Sequence, residues 1–504
     1  MLSSIKLKNF KSFKSLDNLK IKPITVLCGT NSCGKSSILQ SILLLKQTKE
    51  SRSSNQSLLL NGKYVHLGDI DNVIYGNDTK ELMSLVYQYD FTTEEYFENR
   101  RSRHRPSVFN LLRYILPNET RRIKGAVYSI VFSIDLRVSD KSKGYIKTAD
   151  IDKYQVTITT KTPDGNVIDG AETSLIRSND NGFEIKWKNI HFPHRREENV
   201  LDGNANRLSV NFENLFPLIE IRNISGDEDT FERIPFQVHH FFRAIDDFVI
   251  NINEGVTYVG PLREEPSRRY IYENEVLEIG TKGENAAYIY QTEQDESIGD
   301  HYLFNKNDDS FIKQNDVKLK HGLNHWFKLM NIKGFKPDYQ SEIIRLKMDA
   351  NSSSETRVNI ADVGFGVSQI FPIVLEGLRM QKNGTLLLEQ PEIHLHPNLQ
   401  MQMADYFISL ALSKKNVIIE THSDHIVNRL VRRIVEGKEL ELESLISIYF
   451  VSNSDDGAYL EEVVIDPLRG IANWPDGFFD QTASEQEKIM LAGIKRRKLN
   501  RESL

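Results

Sequence analysis

Three short runs of apolar residues have the character of strands that are buried on both faces. They cover residues 24–28, 385–389 and 416–420, and the second and third runs end in a glutamate. The first run leads through a glycine-rich segment into residues 37–45, where apolar side chains recur with a helical period. Such strands are typical of parallel sheets that carry helices on both faces. The pattern therefore predicts an α/β fold built on a parallel sheet.

The centre of the chain has a different pattern, in which apolar and polar residues alternate. Residues 126–136 and 154–160 alternate with period two, and the turn signal Pro163-Asp164-Gly165 follows the second run. Alternation of this kind indicates antiparallel strands with one buried face, whereas residues 238–248 have the period of an amphipathic helix. Because no heptad repeat is sustained, we expect an antiparallel β lobe and a compact α+β insertion without a long coiled coil.

The glycine-rich segment reads Gly29-Thr30-Asn31-Ser32-Cys33-Gly34-Lys35-Ser36, which is G-x-x-x-x-G-K-S between a strand and a helix. In such a loop the main-chain N–H groups surround a phosphate, the lysine reaches the β- and γ-phosphate oxygens, and the serine hydroxyl binds Mg²⁺. A glycine-rich turn without a ligand fits the full spacing and both flanks poorly. We expect a nucleoside triphosphate to contact Asn31, Ser32, Cys33, Gly34, Lys35, Ser36 and Ser37.

Glu389 ends the second apolar run, where a buried parallel strand reaches its C-terminal edge. A carboxylate at this place can hold Mg²⁺ or its water shell together with a hydroxyl of the phosphate loop. The metal site is therefore predicted to consist of Ser36 and Glu389. His394 and His396 lack a third clustered Cys or His, so a polar contact loop is favoured there over a second metal site.

Four segments together resemble the SMC/RecF/OLD branch of the ABC-type ATPases. They are residues 5–13, the phosphate loop, Glu392-Ile393-His394-Leu395-His396-Pro397, and Thr421-His422-Ser423. The resemblance covers roughly residues 1–85 and 340–450. It implies an ABC-type ATPase head that binds ATP and Mg²⁺ and dimerises around the nucleotide.

The resemblance also implies roles for single residues. Glu389 takes the Walker B position, Gln390 the position of the catalytic glutamate, and His422 that of the histidine that senses the γ-phosphate. A buried structural histidine is the alternative for His422. The signature motif matches residues 362–369, which implies that three residues contact ATP held by a partner protomer: Gly364, Gly366 and Ser368.

Two positions depart from the common pattern of that family. Gln390 can orient water but cannot accept its proton, and Gly364 replaces a serine that many relatives carry. Glu392 could supply the base instead, through the Gln-Pro-Glu turn. We therefore expect slow ATP hydrolysis, with Glu389, Gln390, Glu392 and His422 as the catalytic residues.

Length and composition fit a multidomain enzyme. The chain has 504 residues, of which 39% are apolar and 27% charged, and two or three domains are expected. We predict an N-terminal half of the ATPase head at 1–85, a β lobe and mixed insertion at 86–335, the C-terminal half of the head at 336–450, and a small extension at 451–504.

Net charge, cysteine content and the absence of long apolar runs bear on the binding partners and the cellular location of the protein. A net charge of −6 argues against non-specific coating of nucleic acid by the whole chain. The two cysteines suit a reduced compartment, and the sequence contains neither a membrane-length apolar run nor a signal peptide, so a cytoplasmic location without membrane contact is predicted.

The arginine-rich segments 100–105 and 194–196 could contact nucleic acid or an acidic partner, or could be solvated loops. Arg263 could face the nucleotide or a partner head, or form a structural salt bridge.

The tail after His422 lacks the Asp-x-Asp of a Toprim nuclease domain and instead predicts strands at 446–450 and 461–465. Its Trp474-Pro475-Asp476-Gly477-Phe478-Phe479 segment resembles the ending of compact ATPases of prokaryotic defence operons, as in Septu-like systems. This resemblance implies an ATP-driven switch that forms a homodimer or a higher homo-oligomer and controls a separate effector, a nuclease, in anti-phage defence. The alternatives are a RecF-type repair ATPase that clamps DNA and an ATP-binding scaffold with negligible hydrolysis.

Overall fold

The computed structural model describes residues 1–51, 56–92, 111–112, 114, 125–139, 147–178, 182–190, 208–225, 228–271, 278–340, 342–350, 356–437, 442–475, 477, 479 and 485–492. The strands are β1 (Leu2–Phe10), β2 (Phe13–Lys20), β3 (Ile24–Gly29), β4 (Met83–Thr92), β5 (Val127–Val138), β6 (Ala149–Lys161), β7 (Val167–Arg177), β8 (Phe183–Lys188), β9 (Leu208–Glu213), β10 (Phe216–Ser225), β11 (Glu228–Arg233), β12 (Val256–Val259), β13 (Tyr270–Ile271), β14 (His301–Asn305), β15 (Ser310–Gln314), β16 (Lys336–Gln340), β17 (Ile343–Asp349), β18 (Arg357–Asn359), β19 (Thr385–Glu389), β20 (Asn416–Glu420), β21 (Ile446–Ser454), β22 (Gly457–Glu462), β23 (Ile465–Asp466) and β24 (Gly470–Ile471). The helices are α1 (Lys35–Glu50), α2 (Ile70–Val73), α3 (Phe236–Glu254), α4 (Ala286–Glu293), α5 (Leu319–Leu329), α6 (Gly366–Arg379), α7 (Pro397–Leu412), α8 (Asp424–Glu436) and α9 (Leu442–Leu445).

A six-stranded sheet in the order β12-β19-β20-β3-β21-β22 lies at the centre of the molecule. All neighbouring strands in it are parallel except β21 and β22, which form an antiparallel pair. Strands β3, β19 and β20 are buried almost throughout, as their uninterrupted apolar runs predict. Because these strands are parallel, their C-terminal ends lie at one edge, where the register pairs Glu389 with Glu420 and Glu420 with Leu27.

A ten-stranded antiparallel sheet in the order β11-β10-β9-β8-β7-β6-β5-β4-β1-β2 forms the second large layer. Buried and partly exposed positions alternate along β4 and β6, as the period-two pattern predicts. The hydroxyl of Tyr87 in β4 donates a hydrogen bond to the main-chain oxygen of Ser41 in α1 at 2.7 Å. The antiparallel sheet therefore packs directly against the helix that follows the phosphate loop.

Two hydrophobic clusters lie on opposite faces of the six-stranded sheet. One joins α1 and α3 to the antiparallel sheet and includes Phe132, and the other joins α5, α6 and α7 to the parallel sheet and includes Trp326. Within β3, Leu27 belongs to the first cluster whereas Val26 and Cys28 belong to the second, because successive strand side chains point to opposite faces. Helix α1 is thus held between the two sheets.

These layers confirm the α/β fold class, with a mostly parallel central sheet, an antiparallel β lobe and a mixed α+β insertion. The described residues contain no long coiled coil, and none of their helices is long and apolar enough to cross a membrane. The arginine-rich segments 100–105 and 194–196 lie outside the described residues, as do Asp476 and Phe478 of the tail motif.

One predicted strand in the tail was wrong. Residues 461–465 do not form a single strand, since β22 ends at Glu462 and β23 begins at Ile465. The N–H of Val463 still bonds to the main-chain oxygen of Ile448 at 2.8 Å, but the N–H of Val464 turns to the side-chain oxygen of Asn473 at 2.5 Å. That side-chain acceptor diverts the backbone from the sheet.

Candidate nucleotide and cation site

The loop between β3 and α1 depends on two glycines. Gly29 has φ 145° and Gly34 has φ 101°, which are values that side-chain-bearing residues rarely adopt. A Cβ atom at Gly29 would collide with the main-chain oxygen of Val451, and one at Gly34 would collide with the hydroxyl of Ser12. The two glycines therefore allow the backbone to turn tightly into the helix, with its N–H groups at the helix start facing the loop.

The side chain of Lys35 lies inside this loop and is only 3% exposed. Its ammonium donates hydrogen bonds to the main-chain oxygens of Thr30 at 2.6 Å and Gly29 at 3.2 Å. A phosphate oxygen that enters the loop would therefore compete with two carbonyl groups for the same cation.

The other loop residues that were predicted to contact the nucleotide differ in whether their side chains are accessible. Asn31 and Ser32 are exposed, whereas Cys33 is buried and its thiol donates to the main-chain oxygen of Thr30 at 2.9 Å. Cys33 can therefore reach a nucleotide only through its main chain. A cavity of about 370 Å³ opens beside the loop and is lined by Lys11, Ser12, Ser32, Gly34, Ser36, Ser37, Gln40, Asn72, Ile74, Gly76 and Asn77.

Two carboxyl groups lie at the ends of neighbouring strands, the buried Glu420 and the partly buried Glu389. The hydroxyl of Ser36 donates to Oε1 of Glu420 at 3.0 Å, and the hydroxyl of Tyr258 donates to Oε1 of Glu389 at 3.1 Å. Burial, and secondly the charge of Glu420, raise the pKa of Glu389 to about 7. Burial also raises the pKa of Glu420, against the effects of the Ser36 hydrogen bond and the charge of Lys35.

The structure thus brings Ser36 to Glu420, a residue to which the sequence reasoning gave no role. The two predicted metal residues, Ser36 and Glu389, lie on either side of it. Glu420 ends an apolar strand just as Glu389 does, so the same signal was available at both positions. Lys11, which lines the cavity and whose charge lowers the pKa of Glu389, was also missed as a site residue.

The turn after Glu389 is held from both sides. Gln390 has φ 45°, and its N–H donates to the main-chain oxygen of Glu420 at 2.7 Å. On the other side Nη2 of Arg263 donates to the main-chain oxygens of Glu389 at 2.9 Å and Gln390 at 3.2 Å. Burial lowers the pKa of Arg263 to about 10, and neither its Nε nor its Nη1 has a partner among the described residues. Arg263 therefore holds the turn through carbonyl groups and forms no salt bridge with the described residues.

Glu392 ties this turn to the end of β20. Its Oε2 accepts a hydrogen bond from the Thr421 hydroxyl and its Oε1 accepts one from the N–H of His422, both at 2.7 Å. Burial raises the pKa of Glu392, and these two hydrogen bonds partly offset that rise. The side chain of His422 is itself exposed, and burial together with the charge of Lys35 lowers its pKa.

The predicted signature segment lies at the start of α6, beside the loop that follows Glu392. Gly364 is exposed, and Gly366 faces the main-chain oxygen of His394. The Phe365 ring lies 6.0 Å from the His394 ring and is 52% exposed. Ser368 is buried, and its hydroxyl donates to the main-chain oxygen of Phe365 at 2.7 Å. Within the described part of the chain, no hydrogen bond joins this segment to the phosphate loop.

Comparison with known proteins identifies the family. The family model described as "AAA ATPase domain" matches residues 1–427, and one described as "Protein of unknown function (DUF3696)" matches residues 443–489. The chain is 22% identical over 300 residues to the DNA replication and repair protein RecF of Exiguobacterium sp. (strain ATCC BAA-1283 / AT1b), covering 56% of this chain and 76% of that protein. It is 43% identical over 54 residues to RecF of Acholeplasma laidlawii (strain PG-8A), covering 11% and 16%.

Among solved structures, the SMC head domain from Thermotoga maritima aligns with 10% identity and a TM-score of 0.33, over 92% of this chain and 99% of that one. The family model spans most of the chain and includes the phosphate loop, both strand-end glutamates and His422. The chain therefore belongs to the AAA ATPase domain family.

Proposed function

We propose that this protein is an ATP-dependent switch that binds ATP with Mg²⁺, hydrolyses it slowly and controls a separate effector. One observation carries the proposal: Lys35, Ser36, Glu389 and Glu420 converge at one edge of the central sheet, next to the cavity beside the phosphate loop. A cation-binding lysine, a hydroxyl and two acids at this place match the needs of a triphosphate with its metal ion.

The residues present fit Mg²⁺. Oε2 of Glu420 is buried and has no partner among the described residues, and Mg²⁺ prefers carboxylate and hydroxyl oxygens together with water and phosphate. Ser36 and Glu389, the two residues predicted from the sequence, would hold the ion, which would neutralise phosphate charge. Lys35 would exchange the carbonyls of Gly29 and Thr30 for phosphate oxygens.

Slow hydrolysis follows from the groups next to the nucleotide. Gln390 can hydrogen-bond to the attacking water but cannot take its proton. Glu392 could take a proton, but both of its oxygens accept hydrogen bonds from the end of β20. His422 is exposed and would be available to sense the γ-phosphate.

Dimerisation around ATP would complete the site. Gly364 and Phe365 are exposed at the start of α6, so this surface is open to a second protomer. In the proposed dimer Gly364, Gly366 and Ser368 of one protomer face the nucleotide held by Lys35 of its partner. Ser368 would act through the helix start, because its hydroxyl bonds to Phe365.

The effector is proposed to be a nuclease on a separate chain, in anti-phage defence, on the resemblance of the tail to ATPases of defence operons. A RecF-type repair function is the second candidate, favoured by the similarity to a protein named as a DNA replication and repair protein over 76% of its length. A scaffold with negligible turnover is the third, favoured by Gln390 and by the two bonded oxygens of Glu392.

Three measurements on the purified full chain separate these functions. ATP binding followed by calorimetry, with mass determination by light scattering in the presence and absence of ATP, tests the nucleotide-dependent dimer. Plasmid incubated with Mg²⁺ or Mn²⁺ and ATP should stay intact until the nuclease of a neighbouring gene is added. Tight DNA binding that weakens steeply with salt, without any effect of such a nuclease, would favour the repair function and contradict the effector proposal.

A further inference from the structure

Glu420 and Glu389 form a pair of carboxyl groups whose charge is not balanced by an ion pair. The two residues are direct neighbours in the register of β19 and β20. Glu420 is 5% exposed. No described Lys, Arg or His lies within ion-pair distance of either carboxylate. The ammonium of Lys35 is instead bound to the carbonyls of Gly29 and Thr30.

Such an arrangement is unfavourable unless a cation joins it. Like charges at the ends of two neighbouring strands repel each other. A buried carboxylate oxygen without a hydrogen bond carries a further desolvation penalty. Oε2 of Glu420 is in this position, so the site contains an acceptor that no described protein group satisfies.

The hydroxyl of Ser36 links the pair to the phosphate loop. Its proton points to Oε1 of Glu420 at 3.0 Å, which leaves the lone pairs of the serine oxygen free for another ligand. A neighbouring acceptor that fixes the orientation of a metal ligand in this way can change metal affinity by 10- to 100-fold.

We propose that Glu420 is the second carboxylate of the nucleotide's cation subsite, where it orients the Ser36 hydroxyl and adds its own charge to that of Glu389. This inference rests on the proposed function, because the cation arrives with the triphosphate. It goes beyond a site made of Ser36 and Glu389 alone.

The proposal predicts that one substitution has opposite effects on two affinities, that for the cation and that for the metal-free nucleotide. Glu420→Gln keeps the shape of the side chain and removes one negative charge. Without that charge, the cation is held less tightly. In EDTA, by contrast, a bare triphosphate meets less repulsion, so it should bind as tightly as to the wild type or more tightly.

The test uses the full chain, Mn²⁺ as the probe and a non-hydrolysable ATP analogue. Free Mn²⁺ is titrated by electron paramagnetic resonance, and binding of the analogue in EDTA is measured by calorimetry. We expect Glu420→Gln and Glu389→Gln each to weaken Mn²⁺ binding at least tenfold, while affinity in EDTA is unchanged or increased. Glu443→Gln is the control, because Glu443 is exposed and precedes β21 at the opposite end of the sheet.

Outcomes of the test are distinguishable. Mn²⁺ affinity within twofold of the wild type in Glu420→Gln, with a loss in Glu389→Gln, would overturn the inference and leave the proposed function standing. Failure of the wild type to bind the analogue at all would overturn the proposed function itself. If Glu420→Gln does not fold, Glu420→Asp decides: it retains the charge but shortens the reach to Ser36, so Mn²⁺ affinity should fall while affinity in EDTA stays at the wild-type value. An unchanged Mn²⁺ affinity in that variant would contradict the role of Glu420.

Discussion

The guanidinium of Arg263 donates a hydrogen bond to the main-chain oxygen of Gln390 at 3.2 Å, and the same Nη2 atom bonds to Glu389 at 2.9 Å. Arg263 follows β12, which is parallel to β19 and adjacent to it, so the arginine reaches across the two strand ends. Its position fixes the turn that carries Gln390 in a left-handed conformation.

Replacing Arg263 should therefore impair hydrolysis more than ATP binding. Arg263→Lys retains a charge but loses the planar fork, and unsatisfied buried carbonyls cost about 1–3 kcal/mol. We expect kcat to fall about tenfold, with the ATP dissociation constant within about twofold of the wild type. Steady-state kinetics and calorimetry check this split. Arg469→Gln, at an exposed position, is the control, and an unchanged kcat in Arg263→Lys would contradict the positioning role.

Lys35→Ala should abolish ATP binding. The substitution removes the cation that would contact the β- and γ-phosphates. The thermal midpoint should change little, since the hydrogen bonds of Lys35 to described residues all stay within its own loop, to the carbonyls of Gly29 and Thr30 and to the sulfur of Cys33. Lys306→Ala, in the exposed turn between β14 and β15, should bind ATP like the wild type. Calorimetry on both folded variants is the measurement, and wild-type affinity in Lys35→Ala would refute the phosphate-loop assignment.

Turnover should be slower than the enzyme median of about 10 s⁻¹, and Gln390→Glu should increase it. The new carboxylate would occupy the same turn and could accept a proton from water. Glu392→Gln tests the competing base. A glutamine has one acceptor oxygen where Glu392 uses two, so either the N–H of His422 loses its acceptor or the bond with the Thr421 hydroxyl has to reverse its direction, and the loop should loosen.

Gln390→Glu and Glu392→Gln distinguish two explanations of slow turnover. In one, hydrolysis proceeds without a carboxylate base; in the other, Glu392 is the base. If Glu392 is the base, phosphate release should cease in Glu392→Gln, whereas positioning alone predicts a partial loss. Wild-type turnover of tens per second that is insensitive to Glu392 would contradict both versions.

The stability of the nucleotide-free protein should decrease as pH rises from about 4.5 to 7. Glu389 ionises near 4.5 in the unfolded chain but near 7 in the folded chain. Between these values the folded state binds more protons, so the free energy of unfolding falls with rising pH. In Glu389→Gln this fall should be smaller by on the order of 2–3 kcal/mol. The free energy of unfolding is measured with denaturant, in EDTA, at pH 5, 6, 7 and 7.5. If its dependence on pH is the same for the wild type and for Glu389→Gln, the raised pKa of Glu389 is refuted.

The sequence predicted those parts of the site that are carried by one local motif. The uninterrupted apolar runs predicted β3, β19 and β20, and the glycine spacing predicted the loop that holds Lys35. Both follow from short-range rules, since burial on two faces requires an apolar run and a tight turn before a helix requires glycine.

Short-range rules could not predict contacts between segments that are far apart in the sequence. The bond from Arg263 to Gln390 and that from Thr421 to Glu392 depend on strand order, which fixes which strand ends are neighbours. Glu420 was missed for a different reason. Its place at a strand end was visible, but only the parallel register beside Glu389 reveals that two acids share one site.

The strand order also constrains how the protein is made. β3 lies between β20 and β21, and Ser36 is separated from Glu420 by 384 residues. At a synthesis rate of about 5–20 residues per second, a ribosome needs about 20–80 s to make that interval. Throughout it, the apolar β3 has neither of its final neighbours, and the nascent chain has no complete site for the nucleotide. A prematurely terminated polypeptide that ends before β20 therefore lacks Glu420 and His422, and its β3 is without both of the strands that flank it in the folded protein.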